Sequence, residues 1–149
     1  MNVRMYLEIF LILFIKHCII DFSQPLIPCP GKEVYCSKAC IMHPLSVSAP
    51  QLVIIPIWAL IRGIFDIWIV ISCIISTIVE FSTHLHIDWA KTNFRLSNQY
   101  FWESRCKYVV MQCVDQSLHF VVLALCSWVL LTSTMIYGGS DSGLGDTEQ

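Results

Sequence analysis

The sequence contains a run of 25 residues without a formal charge, between Asp115 and Asp141. Within this run, residues 118–137 are almost continuously apolar. A helix rises about 1.5 Å per residue, so about 20 residues cross a hydrocarbon core that is about 30 Å thick. Residues 118–137 are therefore predicted to form a transmembrane helix, and this restricts the chain to the folds that a bilayer allows.

The composition agrees with a membrane environment. Hydrophobic residues make up 56% of the chain and charged residues 13%, with a net charge of −2 and a mean hydropathy of +0.65. A typical cytosolic domain, a disordered tail and a basic nucleic-acid binder are all excluded by these values. The lipid bilayer is the expected partner, and neither a nucleic acid nor a small-molecule substrate is indicated.

A second apolar region covers residues 52–81. It is interrupted by a proline, a glycine and two charged residues, at Pro56, Gly63, Arg62 and Asp66. In one interpretation a single helix crosses the membrane and carries Arg62 and Asp66 one turn apart, as an intramembrane ion pair. In a second, the span begins near Gly63 and the preceding residues lie along the membrane surface. A re-entrant hairpin that turns near Gly63 is the least favoured, because it would put both charges at the deepest point.

Residues 1–20 resemble a signal sequence or a signal anchor. Arg4 precedes the strongly apolar block 9–15, and Lys16 ends that block early. Cleavage and retention both remain open, but in either case we expect an insertion element rather than a core helix. The fold class is thus an all-α integral membrane protein with two transmembrane helices and this N-terminal segment. The localisation is a membrane of the secretory pathway or the plasma membrane.

The connecting segments predict an orientation. Residues 21–51 hold five of the six prolines and are interpreted as a loop. Residues 82–117 carry four Lys or Arg residues among several aromatic ones, whereas the acidic and flexible tail, residues 138–149, carries none. Since positively charged loops stay in the cytoplasm, the 82–117 loop is predicted to be cytoplasmic, and both the proline-rich loop and the tail extracytoplasmic.

Three cysteines lie in the proline-rich loop, at Cys29, Cys36 and Cys40. If this loop faces an oxidising compartment, two of the three are expected to form a disulfide. Together with His43 they would also suffice for a zinc site, but the spacing matches no standard zinc module. The disulfide is the favoured alternative.

The motif His84-x-His86-x-Asp88 is similar to a metal-ligand pattern of the metallo-β-lactamase fold. That pattern continues with a histidine, whereas Trp89 follows here, and the chain is too short and too apolar for that fold. We therefore expect these histidines to be solvated near the lipid headgroups. No metal and no cofactor is assigned.

No motif for catalysis is present: there is no glycine-rich phosphate loop, no GxSxG elbow and no pair of carboxylates at catalytic spacing. The expected function is therefore not enzymatic, with no catalytic residues. The favoured role is an accessory or assembly subunit that binds the helices of other membrane proteins. A component of an oligomeric pore or transporter is one alternative. A reading frame without function, whose composition is membrane-like by chance, is the other.

Overall fold

The chain is all-helical in the computed structural model, which describes residues 3–23, 34–97 and 105–137. These residues are 91% helical and include no strand. The helices are α1 (Val3–Ser23), α2 (Lys38–Ser48), α3 (Gln51–Arg62), α4 (Ile67–Ser97) and α5 (Arg105–Tyr137). The predicted all-α class is confirmed.

Three helical stretches are long and apolar enough to cross a membrane, namely Lys38–Arg62, Ile67–Arg95 and Arg105–Met135. The first joins α2 to α3 through Ala49 and Pro50. Large apolar side chains point outward along these stretches, and Ile61, Ile78 and Val121 are each more than half exposed. An apolar surface of this kind is what a lipid environment requires and what a soluble protein avoids.

The chain reverses direction at Gly63, between α3 and α4. Gly63 adopts a left-handed conformation (φ 69°) in which its N–H bonds the carbonyls of Ala59 and Leu60. The arms are antiparallel, since the Cys73 thiol near the start of α4 donates to the carbonyl of Gln51 at 3.2 Å. None of the three alternatives from the sequence included this arrangement, in which the turn joins two full-length candidate spans. Because α2 lengthens the first arm, the turn lies at the end of the spans rather than at their deepest point.

Helix α1 belongs to the core, which corrects the expectation of a separate insertion element. Ile9 and Leu13 are fully buried, and the Tyr6 ring packs edge-on against Trp128 of α5 at 6.5 Å. Lys16 does not end the buried part of the helix, because its charge is matched inside the bundle by Glu80. The core is formed by α1, α3, α4 and α5 through Ile9, Leu13, Ile55, Ala59, Ile69, Cys73, Leu123, Cys126, Leu130 and Leu131.

Two segments that were predicted to be loops are largely helical in the residues that the structure describes. Helix α2 begins after Ser37, whose hydroxyl accepts from the Cys40 N–H at 3.1 Å, and it includes Pro44. A proline inside a helix removes one backbone hydrogen bond and bends the helix without always ending it. In the basic and aromatic segment, α4 continues to Ser97 and α5 begins at Arg105.

These two segments also share one end of the bundle. The Tyr35 hydroxyl lies 2.9 Å from Nε2 of His86, so the described part of the proline-rich segment contacts the beginning of the basic segment. We call this end of the bundle the Tyr35 end and the opposite one the Gly63 end. Which side of a membrane each segment faces stays a prediction. The contact follows from the α2–α3 arm, a candidate span that the sequence analysis did not include.

Candidate metal centre

A cluster of histidine and aspartate side chains lies inside the bundle towards the Tyr35 end. Three helices each contribute one histidine and one aspartate four residues apart, and residues at this spacing share one face of a helix. Helix α2 adds a further histidine. We call these seven side chains the His/Asp cluster: His17 and Asp21 on α1, His43 on α2, His84 and Asp88 on α4, and Asp115 and His119 on α5.

Four side chains of the cluster converge on one point. The Nε2 atoms of His43 and His84 are 3.2 Å apart. Asp88 Oδ2 lies 3.0 Å from the first and 3.4 Å from the second. Asp21 Oδ1 lies 3.1 Å and 3.7 Å from the same two nitrogens. Donor atoms around an ion with bonds of about 2.1 Å are separated by about 3.0–3.4 Å, so this group has the dimensions of a metal site.

A second group of donor atoms adjoins the first and shares Asp88 with it. His119 Nε2 lies 3.8 Å from Asp88 Oδ1 and 3.7 Å from Asp115 Oδ1. The two carboxylate oxygens of Asp88 therefore face different groups, Oδ2 towards the two histidines of the first group and Oδ1 towards His119. Asp88 therefore lies between the two groups and could contribute a donor atom to each.

Several buried polar atoms of the cluster have no hydrogen-bond partner among the described residues. These atoms are His17 Nδ1 and Nε2, His84 Nδ1, Asp115 Oδ1 and His119 Nε2. A buried polar atom without a partner costs about 1–3 kcal/mol. Asp115 and His119 are only 4% and 3% exposed, and their unpartnered atoms face each other. A cation between them would supply the missing partner for both.

A buried ion pair lies next to the cluster on the side of the Gly63 end. Lys16 Nζ contacts both carboxylate oxygens of Glu80, at 2.6 and 2.7 Å, and both side chains are 2% exposed. Glu80 Oε1 also lies 3.7 Å from His17 Nδ1. Since Lys16 neutralises Glu80, the negative charge that remains in this region belongs to the three aspartates of the cluster.

Asp21 belongs to α1, which is not among the three candidate spans. Its carboxyl group is ionised at neutral pH. Burial raises the pKa of Asp21, but the hydrogen bond with His43 and the neighbouring His84 and His17 lower it more, so that the pKa falls to about 2. An ionised carboxylate among imidazoles is a donor set that suits Zn²⁺, Mn²⁺ and Fe²⁺.

A cavity of about 620 Å³ adjoins the cluster. Its wall includes four members of the cluster, Asp21, His43, Asp88 and Asp115. The wall also includes polar and aromatic side chains of α4 and α5, among them Lys91, Arg95, Tyr108, Gln112 and Trp89. A small molecule can therefore reach the donor atoms from this side of the bundle.

The site residues that were proposed from sequence are not brought together in this way. Arg62 bonds Glu8 of α1, and Asp66 Oδ1 accepts from the N–H of Ile67 at 2.5 Å. No Arg62–Asp66 pair forms among the described residues, because the helix ends at Gly63 between them. Cys36 and Cys40 are free thiols. Cys29 lies outside the described residues, so a disulfide that involves it stays a prediction.

The sequence motif around His84 pointed to part of the cluster, but at the wrong spacing. His84 and Asp88 belong to the cluster, whereas His86 lies on another face of α4 and is exposed, in contact with Tyr35. The informative signal was the helical spacing of four residues between a histidine and an aspartate. It occurs in His17-x3-Asp21, His84-x3-Asp88 and Asp115-x3-His119.

Comparison with known proteins identifies a family. A family model described as a protein of unknown function, DUF3307, matches residues 9–139. This range begins inside α1 and includes every member of the His/Asp cluster. No curated protein and no solved structure matches the chain.

Proposed function

We propose that this chain, which belongs to the DUF3307 family, is an integral membrane protein that binds divalent transition-metal ions in its His/Asp cluster. The observation that carries this proposal is the convergence of nitrogen and carboxylate donors from four helices at separations typical of metal ligands. The first ion would be held by Asp21, His43, His84 and Asp88. The second would be held by Asp88, Asp115 and His119.

The burial of the cluster supports this proposal independently of the distances. Three carboxylates close together in a bundle interior repel one another when they are charged, and burial makes each charge costly unless it is paired. Among the described residues, Lys91 pairs with one of them, since its Nζ lies 2.6 Å from Asp115 Oδ2. One or two divalent ions would compensate the remaining charge and also bond the unpartnered atoms of Asp115 and His119.

The metal content of the purified full-length protein tests this proposal. We expect about one to two equivalents of Zn²⁺, Mn²⁺ or Fe²⁺ per chain by inductively coupled plasma mass spectrometry, after reconstitution and removal of loosely bound metal. His84→Ala and Asp88→Asn should each lose most of this metal. His86→Ala is the matched control, because His86 lies two residues from each of them but outside the cluster, and it should retain the metal.

Two results would overturn the assignment. The first is a monodisperse, helical wild-type protein that retains no divalent metal after incubation with all three ions. The second is equal metal content in His84→Ala, Asp88→Asn and the wild type. Circular dichroism and size-exclusion chromatography of each variant separate loss of metal from loss of folding.

The role expected from sequence, a non-catalytic accessory or assembly subunit, is the second candidate. It is supported by the large apolar surface of the candidate spans, on which other helices can pack. Metal binding does not exclude this role, since an ion could simply hold the four helices together. Crosslinking in the native membrane followed by mass spectrometry would test it, and a defined membrane-protein partner is the expected result.

A further inference from the structure

We propose that the cavity beside the His/Asp cluster binds a phosphate monoester and that the metal centre hydrolyses it. This inference rests on the proposed function, because it requires the cluster to hold divalent ions. It also differs from the expectation that the protein is not an enzyme. That expectation depended on the absence of local catalytic motifs, and it stays a prediction. The structural basis is the access, charge and position of the cavity.

Access distinguishes a reactive metal site from a purely structural one. Structural sites are closed by protein ligands, whereas catalytic sites keep a coordination position open to water or substrate. Here the donor residues Asp21, His43, Asp88 and Asp115 themselves form part of the cavity wall. The cavity volume of about 620 Å³ lies in the range of sites for small-molecule ligands. Water and a ligand can therefore reach both donor groups.

The charge of the cavity favours an anionic ligand once the ions are bound. The carboxylates on its wall are the three aspartates of the cluster, all of them metal donors. Two cationic side chains, Lys91 and Arg95, lie on the same wall. In helix α4 the residues Asp88, Lys91 and Arg95 are spaced by three and four positions, so they form one stripe that leads away from the metal donors. Among the described wall residues, two divalent ions and two cationic side chains would exceed the charge of the three carboxylates, and a dianionic phosphate monoester would compensate most of this excess.

The cavity lies where a membrane surface would be. Asp88 is about 31 Å along α4 from Ile67 at about 1.5 Å per residue, which is close to the thickness of a hydrocarbon core. The cavity wall also includes Phe22, Trp89 and Tyr108, and aromatic residues are enriched at membrane interfaces. Both a lipid phosphate and a soluble phosphate ester can approach from this position, and they share the group that the cavity would recognise.

The reaction is a hydrolysis that needs no oxidant or reductant. The oxygen of a water molecule forms a bond to phosphorus while the bond between phosphorus and the ester oxygen breaks. The ester oxygen leaves as an alcohol after taking the proton that the water loses, and the other product is inorganic phosphate. The ions, if held by the His/Asp cluster, would lower the pKa of the water and stabilise the charge of the reacting phosphate. Arg95 would bind the peripheral phosphate oxygens, whereas Lys91 pairs with Asp115.

The test uses the full-length protein in detergent micelles, loaded with the metal found above. Phosphate release is measured with phosphatidic acid in mixed micelles in one arm and with p-nitrophenyl phosphate in the other. We expect release in at least one arm, with competitive inhibition by inorganic phosphate. Release from phosphatidic acid alone identifies a lipid substrate, whereas release from p-nitrophenyl phosphate alone identifies a soluble one.

The Arg95→Gln variant tests the binding role of the cavity. We expect its KM to rise about tenfold, with metal content unchanged, because it loses a charge-assisted hydrogen bond to the phosphate. Arg105→Gln is the matched control, since Arg105 is exposed at the same end of the bundle and is not part of the cavity wall. Its KM should equal that of the wild type.

Each failure has a separate meaning because metal content and phosphate release are measured on the same samples. A protein that retains metal but releases no phosphate in either arm overturns this inference and leaves the metal centre intact. Release that is unaffected by Arg95→Gln, or affected equally by Arg105→Gln, overturns the assignment of the cavity. A protein without metal overturns the proposed function itself.

Discussion

At the scale of single residues, the charges inside the bundle differ sharply in environment. Lys16 and Glu80 are both 2% exposed and bond only within the protein, whereas Arg62 has a side chain that is 41% exposed at the Gly63 end. The sequence analysis considered an intramembrane ion pair and chose Arg62 with Asp66, because the two are one helical turn apart. The pair that the fold buries joins residues 64 positions apart in sequence. Such a pair has no local spacing from which it could be recognised.

We predict a strong coupling between Lys16 and Glu80. Lys16→Met or Glu80→Leu alone leaves the other charge buried without a partner, and each should lower the free energy of unfolding by about 3–5 kcal/mol. The double substitution should recover most of this loss, because both charges are then absent. Reversible unfolding in mixed micelles measures all three variants.

Arg62→Leu and Asp66→Leu, alone and combined, form a second double-mutant cycle for comparison with the Lys16–Glu80 cycle. Their effects should be additive to within about 0.5 kcal/mol, since no contact joins the two side chains in the described residues. If the effects of Lys16→Met and Glu80→Leu on the free energy of unfolding were just as additive, the result would contradict the buried pairing.

At the scale of elements, the turn at Gly63 decides how the second apolar region is used. It divides a long apolar run into the end of one arm, α3, and the beginning of the next, α4. The left-handed backbone at this position is readily adopted only by glycine, and the turn lets the chain return through the bundle. Without this turn, the histidine of α2 would not lie opposite that of α4.

We predict that Gly63→Ala destabilises the protein by about 1–2 kcal/mol. The expected cost comes from the backbone alone, because a Cβ at this position would have no neighbour within 4 Å. Gly63→Asn should cost less, since asparagine tolerates the left-handed region better than alanine. Chemical unfolding of the two variants side by side checks the order, and equal stability of Gly63→Ala and the wild type would contradict the strained turn.

At the scale of the whole molecule, the basic residues are divided unequally between the two ends. The Gly63 end carries Arg4 and Arg62, whereas the described residues near the Tyr35 end carry Lys38, Lys91, Arg95, Arg105 and Lys107. The excess of positive charge favours a cytoplasmic Tyr35 end. This orientation agrees with a cytoplasmic segment 82–117 and an extracytoplasmic tail. It differs for residues 21–51, which were predicted to be extracytoplasmic.

We predict that reporters inserted after Gly31 and after Asn98 report the same, cytoplasmic side. A reporter fused after Gln149 should report the opposite side, because α5 leads away from the Tyr35 end. Dual fusions to alkaline phosphatase and green fluorescent protein distinguish the two compartments. An extracytoplasmic Gly31 fusion combined with a cytoplasmic Asn98 fusion would contradict the shared end that the Tyr35–His86 contact indicates. In the cytoplasmic arrangement the thiols of Cys36 and Cys40 would remain reduced.

Local composition was enough to predict the helical character of this protein. A run of uncharged residues as long as a bilayer is thick, with few charges elsewhere, leaves helices as the way to satisfy the backbone. The all-α class needs no knowledge of distant contacts, and it was confirmed. Local composition also located the last span, where residues 118–137 lie within α5.

Tertiary structure alone decided which polar residues act together. Lys16 was interpreted as the end of an apolar block, and His84 as a solvated histidine, because each was considered within its own segment. In the bundle, Lys16 meets Glu80, and His84 meets His43 and Asp21 from two other helices. A metal site or a buried ion pair depends on distances between helices that are far apart in sequence. Such distances follow from the antiparallel packing of the arms, whereas a spacing of four residues shows only that two side chains share a face of one helix.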